Sequence, residues 1–171
     1  METLRRTPVT HRTVVASTGV ELRVHENRFG SFELELERVR LLDSYERPTA
    51  ELVDDGPLMV ELEYCTSDGV RDPIFGVTIL NTEERVCYDT NSHGVLQVVP
   101  EHDGRGAVEV SISGLDLANG QYYIEVGAYE REWAYTYDYH TKAYPITVNR
   151  DVAKPRPPCD GSAPRAVWRS R

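Results

Sequence analysis

The fold is decided by the stretch NGQYYIEVGAYEREWAYTYDYHTKAYPITVN, residues 119–149. It opens with a turn signal, Asn119-Gly120, and continues with apolar residues at every second position from Tyr122 to Ala128. This period of two is typical of a half-buried β-strand. A second alternating run, from Tyr144 to Val148, closes the stretch. We therefore predict two strands that form the centre of a β-sheet.

Aromatic and polar side chains occupy both faces of these predicted strands, although a core needs only one face. Sugars offer C–H faces to aromatic rings and hydroxyls to polar side chains, so this mixture indicates a carbohydrate site. The candidate binding residues are Tyr123, Tyr129, Arg131, Trp133, Tyr135, Tyr137 and Asp138. The structural alternative is that Tyr122 and Tyr144 are core residues and that the others form cross-strand pairs or cover a dimer interface.

Short strand patterns separated by turns make up the rest of the chain. Phe32, Leu34 and Leu36 alternate with glutamates, and a slip in phase before Val39 indicates a β-bulge. Further strands are predicted at residues 13–15, 20–24, 58–64, 74–80, 86–88, 95–99 and 108–112. No helical periodicity extends beyond one turn. The pattern predicts an all-β fold, an antiparallel immunoglobulin-like β-sandwich, with a jelly roll as the alternative.

The chain has 171 residues, which is enough for one domain with a sizeable core. We assign residues 28–149 to the β-sandwich and residues 1–27 to a lead-in or linker segment. Residues 150–171 are rich in proline and basic side chains. This composition predicts a flexible tail, in which Trp168 is a candidate anchor.

Composition excludes several function classes. A net charge of −9 and a pI near 5.0 argue against binding to nucleic acid or to an anionic membrane surface. The apolar runs are too short for a transmembrane helix, and the N-terminal residues lack the apolar core of a secretory signal. Three widely spaced cysteines suit a reducing compartment, so we predict a cytoplasmic protein.

Motifs for catalysis and cofactor binding are missing from the sequence. It contains neither GxxxxGK(S/T) nor GxGxxG, and its five histidines form no HxH or HExxH pair. His93, His102 and Asp103 are interpreted as polar loop residues rather than as metal ligands. The many glutamates are most simply solvated strand faces, although a carboxylate pair for glycan hydrolysis stays an alternative. We predict a protein that is not an enzyme and has no cofactor or metal.

The order of several motifs resembles a known family. These motifs are RFGSFELELERVRLLD at residues 28–43, DDGPLMVELEY at 54–64, DPIFGVTILN at 72–81, YDTN at 88–91, GLDLANGQYYIEVGAY at 114–129 and YPITV at 144–148. Together they resemble the C-terminal polysaccharide-binding domain of the ATPase subunit of O-antigen ABC transporters, the Wzt type. Two features depart from that family: no nucleotide-binding domain precedes the motifs, and the loop at residues 81–85 lacks a hairpin glycine.

The resemblance implies an immunoglobulin-like sandwich that recognises the export-ready end or repeat unit of a lipid-linked glycan. It also implies a homodimer, often with an exchanged terminal strand. Its partners would be the nucleotide-binding domain and membrane subunit of an ABC transporter, at the cytoplasmic face of the membrane. We therefore predict a non-catalytic carbohydrate-binding module for export of a bacterial surface polysaccharide. The alternative function is a protein-interaction or dimerisation module without a glycan site.

Overall fold

A computed structural model describes residues 12–15, 17–24, 26–101, 103–151 and 164–171. These residues contain twelve β-strands. The strands are β1 (Arg12–Val15), β2 (Glu21–Val24), β3 (Arg28–Gly30), β4 (Leu34–Leu42), β5 (Glu51–Leu52), β6 (Leu58–Thr66), β7 (Ile74–Asn81), β8 (Val86–Asn91), β9 (Arg105–Ser113), β10 (Gly120–Tyr129), β11 (Thr136–Val148) and β12 (Arg165–Ser170). Within the described residues, no helix is long and apolar enough to cross a membrane.

The strands form two sheets that pack face to face. The eight-stranded sheet has the order β1-β2-β3-β11-β10-β7-β8, with the short β5 paired in parallel to β11. The four-stranded sheet has the order β12-β9-β6-β4, and all its pairs are antiparallel. The predicted antiparallel β-sandwich is confirmed. The hairpin quoted above supplies β10 and β11, the two strands with the most extensive pairing in the larger sheet.

The core lies between the two sheets and follows the alternation of the sequence. Residues at every second position of the facing strands are fully buried, since these side chains point into the space between the sheets. They include Val60, Leu62, Val77, Ile79, Val108, Val110, Ile124 and Val126, each 0 % exposed. Tyr122 and Tyr144 are buried as well, which is the position that the structural alternative gave these two tyrosines. The predicted bulge is also present, as a shift in the β4–β6 register between Leu36 and Arg38.

The hairpin between β7 and β8 explains how a loop without glycine closes. Glu84 takes the left-handed conformation, with a φ of 63°. The Asn81 side chain stabilises the turn, because its Oδ1 accepts hydrogen bonds from the amides of Glu83 and Arg85 at 3.0 and 2.9 Å. An asparagine side chain that caps local amides is a common substitute for glycine-based turn geometry.

The strand predicted at residues 95–99 is absent, and this prediction was wrong. The amides of Val95 and Leu96 both donate to the carbonyl of Ser92, which makes a turn. The amide of Val98 donates to the Asp72 side chain at 2.9 Å instead of to a neighbouring strand. Val98 is therefore buried while Val99 is 78 % exposed, so the valines do not share one packed face.

The C-terminal residues pair along the edge of the smaller sheet. All six residues of β12 have partners on β9. Trp168 is buried among core residues, and its Nε1 donates to Thr90 Oγ1 on β8 at 3.1 Å. This contact joins the two sheets. The segment predicted as a flexible tail thus contains a strand at residues 165–170, while residues 152–163 lie outside the described part of the chain.

Charged residues cross the outer face of the smaller sheet in one row. Glu61 and Glu109 are direct cross-strand partners, and each is only 2 % exposed. Arg40 donates to Glu61 from β4. From the C-terminus, Arg171 reaches Glu61 at 2.8 Å and Glu109 at 2.9 Å. Because like charges directly opposite one another are destabilising, these arginines are needed to hold the two carboxylates together.

Candidate functional site

Five aromatic side chains form a continuous row on the outer face of the eight-stranded sheet, which we call the ring ladder. It consists of Phe29, Tyr139, Tyr129, Trp133 and His93. Successive ring centroids are 5.2, 6.3, 5.0 and 5.9 Å apart in that order. Each separation is within the range of favourable aromatic contact. The row crosses β3, β11 and β10 and ends on the loops beyond β8 and β10.

Two glycines let the tyrosines of the ring ladder lie close to the sheet. Gly76 and Gly127 are cross-strand partners on β7 and β10. A Cβ atom added to Gly127 would lie 2.5 Å from Tyr129 Oη and 2.8 Å from Tyr139 Cδ2. One added to Gly76 would lie 3.2 Å from Tyr129 Cε2. The tyrosine rings therefore pack directly against the backbone of the two glycines, where a larger residue would leave no room.

The loop between β10 and β11 holds Trp133 in a strained conformation. The Glu130 amide donates to the Tyr135 carbonyl at 3.0 Å, and the Trp133 amide donates to the Glu130 carbonyl at 2.8 Å. Trp133 has a φ of 61° and is 45 % exposed. A left-handed conformation costs a bulky residue about 1–3 kcal/mol, and such strain is found preferentially at functional sites. The indole is thus presented to solvent by a fixed turn.

Hydrogen-bonding groups flank the rings on the same face. Tyr139 Oη donates to Glu125 Oε2 at 2.5 Å, and the Lys142 amide donates to Glu125 Oε1 at 3.2 Å. Thr78 Oγ1 donates to Asp89 Oδ1 at 2.9 Å, and Asp89 is exposed. Burial and then the bonded Glu125 carboxylate raise the pKa of Tyr139. Tyr139 bonds to Glu125 as the neutral phenol, and this bond keeps the carboxylate in place.

Comparison with known proteins identifies the family. The sequence model of the Wzt C-terminal domain family matches residues 25–161. The chain belongs to the Wzt C-terminal domain family. A crystal structure of the C-terminal domain of Wzt has the same fold, with a TM-score of 0.67 at 14 % sequence identity. The alignment covers 74 % of this chain and 80 % of that structure. No curated protein sequence matches the chain.

This family places the chain in the setting of the O-antigen ABC transporter. The Wzt C-terminal domain is a domain of that transporter other than its catalytic ATPase domain.

Four of the seven residues predicted to bind sugar lie at this surface or beside it. Tyr129 and Trp133 are members of the ring ladder. Tyr123 is on the same face of β10, two residues before Glu125, and is partly exposed. Arg131 is exposed on the Trp133 loop and pairs with Glu132 at 3.3 Å. Its side chain lines a cavity next to the ring ladder.

The other three predicted residues lie away from the ring ladder of this Wzt domain. Tyr135 donates to Glu33 at 3.1 Å and contacts Tyr137 edge to face, with centroids 5.4 Å apart. Tyr137 is 4 % exposed and belongs to the core. Asp138 is 0 % exposed and faces the four-stranded sheet, since it is the cross-strand partner of the inward-facing Ala128. We therefore remove Tyr137 and Asp138 from the set of candidate contacts.

The interior position of Asp138 has a structural role. Arg28 donates to both of its carboxylate oxygens, at 2.7 and 2.6 Å. The Leu36 amide donates to Oδ2 at 2.7 Å, and His140 Nε2 lies 3.3 Å from Oδ1. These bonds tie β3 and β11 of one sheet to β4 of the other, below the side of the sheet that carries Phe29 and Tyr139.

Sequence reasoning missed three rings of the ring ladder and the two glycines, Gly76 and Gly127, against which its tyrosines pack. Tyr139 is within the quoted stretch, but its alignment with Gly127 depends on the β10–β11 register. Phe29 is the cross-strand partner of Tyr139 from a strand 110 residues earlier. His93 is in a loop. No local signal marks these distant contacts. Among the described residues, no cluster of three or more His, Cys, Asp or Glu side chains is arranged to hold a metal ion.

Proposed function

We propose that the ring ladder binds a bacterial surface polysaccharide of the O-antigen type and selects it for export by an ABC transporter. The observation that supports this most is Trp133, which a strained turn presents to solvent on top of Tyr129. Exposed aromatic side chains beside carboxylates fit the apolar faces and hydroxyls of sugar rings. The family membership of the chain supports the transporter setting.

Binding would combine stacking with hydrogen bonding. Sugar rings would stack on Trp133 and contact the edges of Tyr129 and Tyr139. Asp89 would accept hydrogen bonds from the sugar hydroxyls. An open surface buries little of a flexible ligand, so affinity for a short fragment should be weak. Two sites in one assembly would compensate through avidity.

The same proposal includes an assembly. The family resemblance implies a homodimer with an exchanged terminal strand, and β12 is a terminal strand that lies along an edge of the four-stranded sheet. The other partners would be the nucleotide-binding domain and membrane subunit of the transporter, at the cytoplasmic face of the membrane. The ring ladder and β12 are on different sheets, so glycan binding and strand exchange can coexist.

A non-catalytic role fits the placement of the most buried carboxylate pair among the described residues. Glu61 and Glu109 are opposite each other but lie on the four-stranded sheet, covered by arginine side chains. A glycosidase needs two carboxylates that flank the scissile bond of a bound sugar. At 2 % exposure each, Glu61 and Glu109 do not meet that need.

Trp133→Ala is expected to lower the affinity for the polysaccharide at least tenfold without unfolding the protein. The ring is half exposed, so its removal takes away a contact surface rather than a core residue. A central aromatic contact is typically worth about 2 kcal/mol or more. Calorimetric titration measures the affinity, and light scattering after size exclusion measures the assembly state.

Tyr45→Ala is the matched control, since Tyr45 is 72 % exposed on the β4–β5 connection. It should bind like the wild type. If Trp133→Ala instead dissociates an assembly and does not change the affinity for the polysaccharide, the aromatic surface is a protein interface. The alternative function, a protein-interaction or dimerisation module, then holds.

Gly127→Ala is expected to weaken glycan binding about tenfold while the sheet stays folded. The new methyl group would displace the Tyr129 and Tyr139 side chains, which can move outward because they lie on the surface side of β10. Near-ultraviolet circular dichroism should report the displaced rings, and the far-ultraviolet spectrum should not change. An unchanged affinity together with a changed near-ultraviolet spectrum would show that ring placement does not matter for binding.

A further inference from the structure

A polar cavity of about 670 Å³ opens at the end of the sandwich next to the Trp133 loop. Its walls are formed by residues 66–72, which connect β6 to β7, and by residues 97–101, 103 and 104, which precede β9; Arg131 also lines it. Small-molecule sites typically have volumes of about 300–1,000 Å³. The cavity is therefore large enough for part of a glycan chain.

The cavity is preformed rather than a gap between loose loops. The Thr66 amide donates to the Gly104 carbonyl at 2.7 Å, which joins the two walls at one end. The Asp72 side chain accepts from the Val98 amide at 2.9 Å, which joins them again. Val70 and Val98, one from each wall, belong to the hydrophobic core cluster, so their packing fixes both walls to the sandwich. A site with fixed walls loses little conformational entropy when it binds.

The cavity and the ring ladder are adjacent along two separate segments. Arg131, which lines the cavity, precedes Trp133 by two residues in the same turn. His93, at the end of the ring ladder, precedes Gln97 of the cavity wall by four residues. Trp133 Nε1 and His93 Nδ1 are 3.4 Å apart, so the two segments meet where the ring ladder ends.

The lining has the chemistry of a site for hydroxyl-rich sugars without acidic substituents. It contains both acceptors and donors, with four carboxylates and two guanidinium groups: Asp68, Asp72, Glu101, Asp103, Arg71 and Arg131. Asp68, Glu101, Arg71 and Arg131 are exposed at the surface of the cavity. Carboxylates accept hydrogen bonds from sugar hydroxyls and arginines donate to their oxygens. The excess of negative charge disfavours acidic sugars.

We propose that this cavity is a second subsite, which holds the sugar residues that follow those stacked on the ring ladder. This inference rests on the proposed function of the ring ladder. It adds that the protein recognises a run of several neutral sugar residues instead of a single terminal sugar. Binding should therefore strengthen with chain length until both subsites are filled.

The test uses surface polysaccharide purified from the organism that encodes the chain, separated after mild acid hydrolysis into fragments of two sugars and fragments of eight or more. The full chain is titrated with each by calorimetry. Wild type should bind the long fragments at least tenfold more tightly per molecule than the short ones. Asp68→Ala combined with Glu101→Ala should lose this gain and leave binding of short fragments unchanged.

Glu21→Ala combined with Glu83→Ala is the matched control, since it removes two exposed carboxylates elsewhere. It should keep the gain. If long fragments bind tightly and the Asp68 and Glu101 variant keeps that affinity, the second subsite is refuted while the ring ladder stands. If Trp133→Ala changes the binding of neither fragment size, the proposed function itself fails.

Discussion

Asp138→Ala is expected to lower the free energy of unfolding by about 3 kcal/mol, because it removes the centre of a buried charge network. The variant leaves the Arg28 guanidinium without its bidentate partner and the Leu36 amide without its acceptor. Breaking a buried ion pair on one side costs about 3–5 kcal/mol, and the partial exposure of Arg28 places this case at the lower end. Urea unfolding at pH 7 measures the effect.

The effect should depend on pH in a defined direction. Although burial opposes the charged form, hydrogen bonds from His140 and Arg28 hold the pKa of Asp138 below its ordinary value. A carboxylate with a lowered folded-state pKa stabilises the protein above its unfolded pKa, about 3.9, and this contribution is lost as the pH falls through the folded-state pKa. The stability difference between wild type and Asp138→Ala should therefore shrink below about pH 4.

Asp68→Ala is the control for this experiment, because Asp68 is an exposed carboxylate outside the network. It should change stability by no more than about 0.5 kcal/mol. An Asp138→Ala variant as stable as this control would show that the network contributes nothing net to folding.

Removal of residues 164–171 is expected to lower the free energy of unfolding by about 5 kcal/mol. The loss of a buried tryptophan alone costs about 3–5 kcal/mol, and Trp168 also joins the two sheets through Thr90. The truncation further removes Arg169 and Arg171 from the paired carboxylates of the four-stranded sheet. A domain at the lower end of the ordinary stability range of about 5–15 kcal/mol would then be marginal, which thermal and urea unfolding can measure.

A pair of substitutions separates the two causes. Glu61→Gln combined with Glu109→Gln removes the like-charge pair, so it should restore about 1–2 kcal/mol to the truncated chain. In the full chain, the same substitutions should destabilise, since they leave Arg171 without its carboxylate partners. If they destabilise the truncated chain as well, β12 does not act through these charges.

The sequence predicted the sandwich because alternating apolar residues need no knowledge of their partners. Leu58 to Tyr64 and Tyr122 to Ala128 each place alternate apolar residues in the core wherever the opposing strand comes from. The residues on the outer face of the sheet could not be predicted in this way, because their neighbours depend on the strand register. The β10–β11 register, with its two shifts, places Asp138 opposite the inward-facing Ala128 and Tyr139 opposite Gly127 on the surface.

Two other features depend on distant pairing in the same way. Phe29 joins the ring ladder only because β3 lies beside β11. The segment 165–170 has the composition of a tail, yet Arg169 lies opposite Glu109 and Trp168 reaches the core. Its charges and its tryptophan become stabilising only when β9 and β8 are in place, which local composition cannot reveal.

The measurement that tests the central claim most directly is a calorimetric titration of the full chain with the surface polysaccharide of the organism that encodes it. Unrelated glycans and the Trp133→Ala variant are titrated in parallel. We predict saturable binding of the native polymer alone, with at least a tenfold loss in the variant. Absence of binding by the folded protein at millimolar concentrations of repeat unit would contradict the claim that the ring ladder is a polysaccharide site.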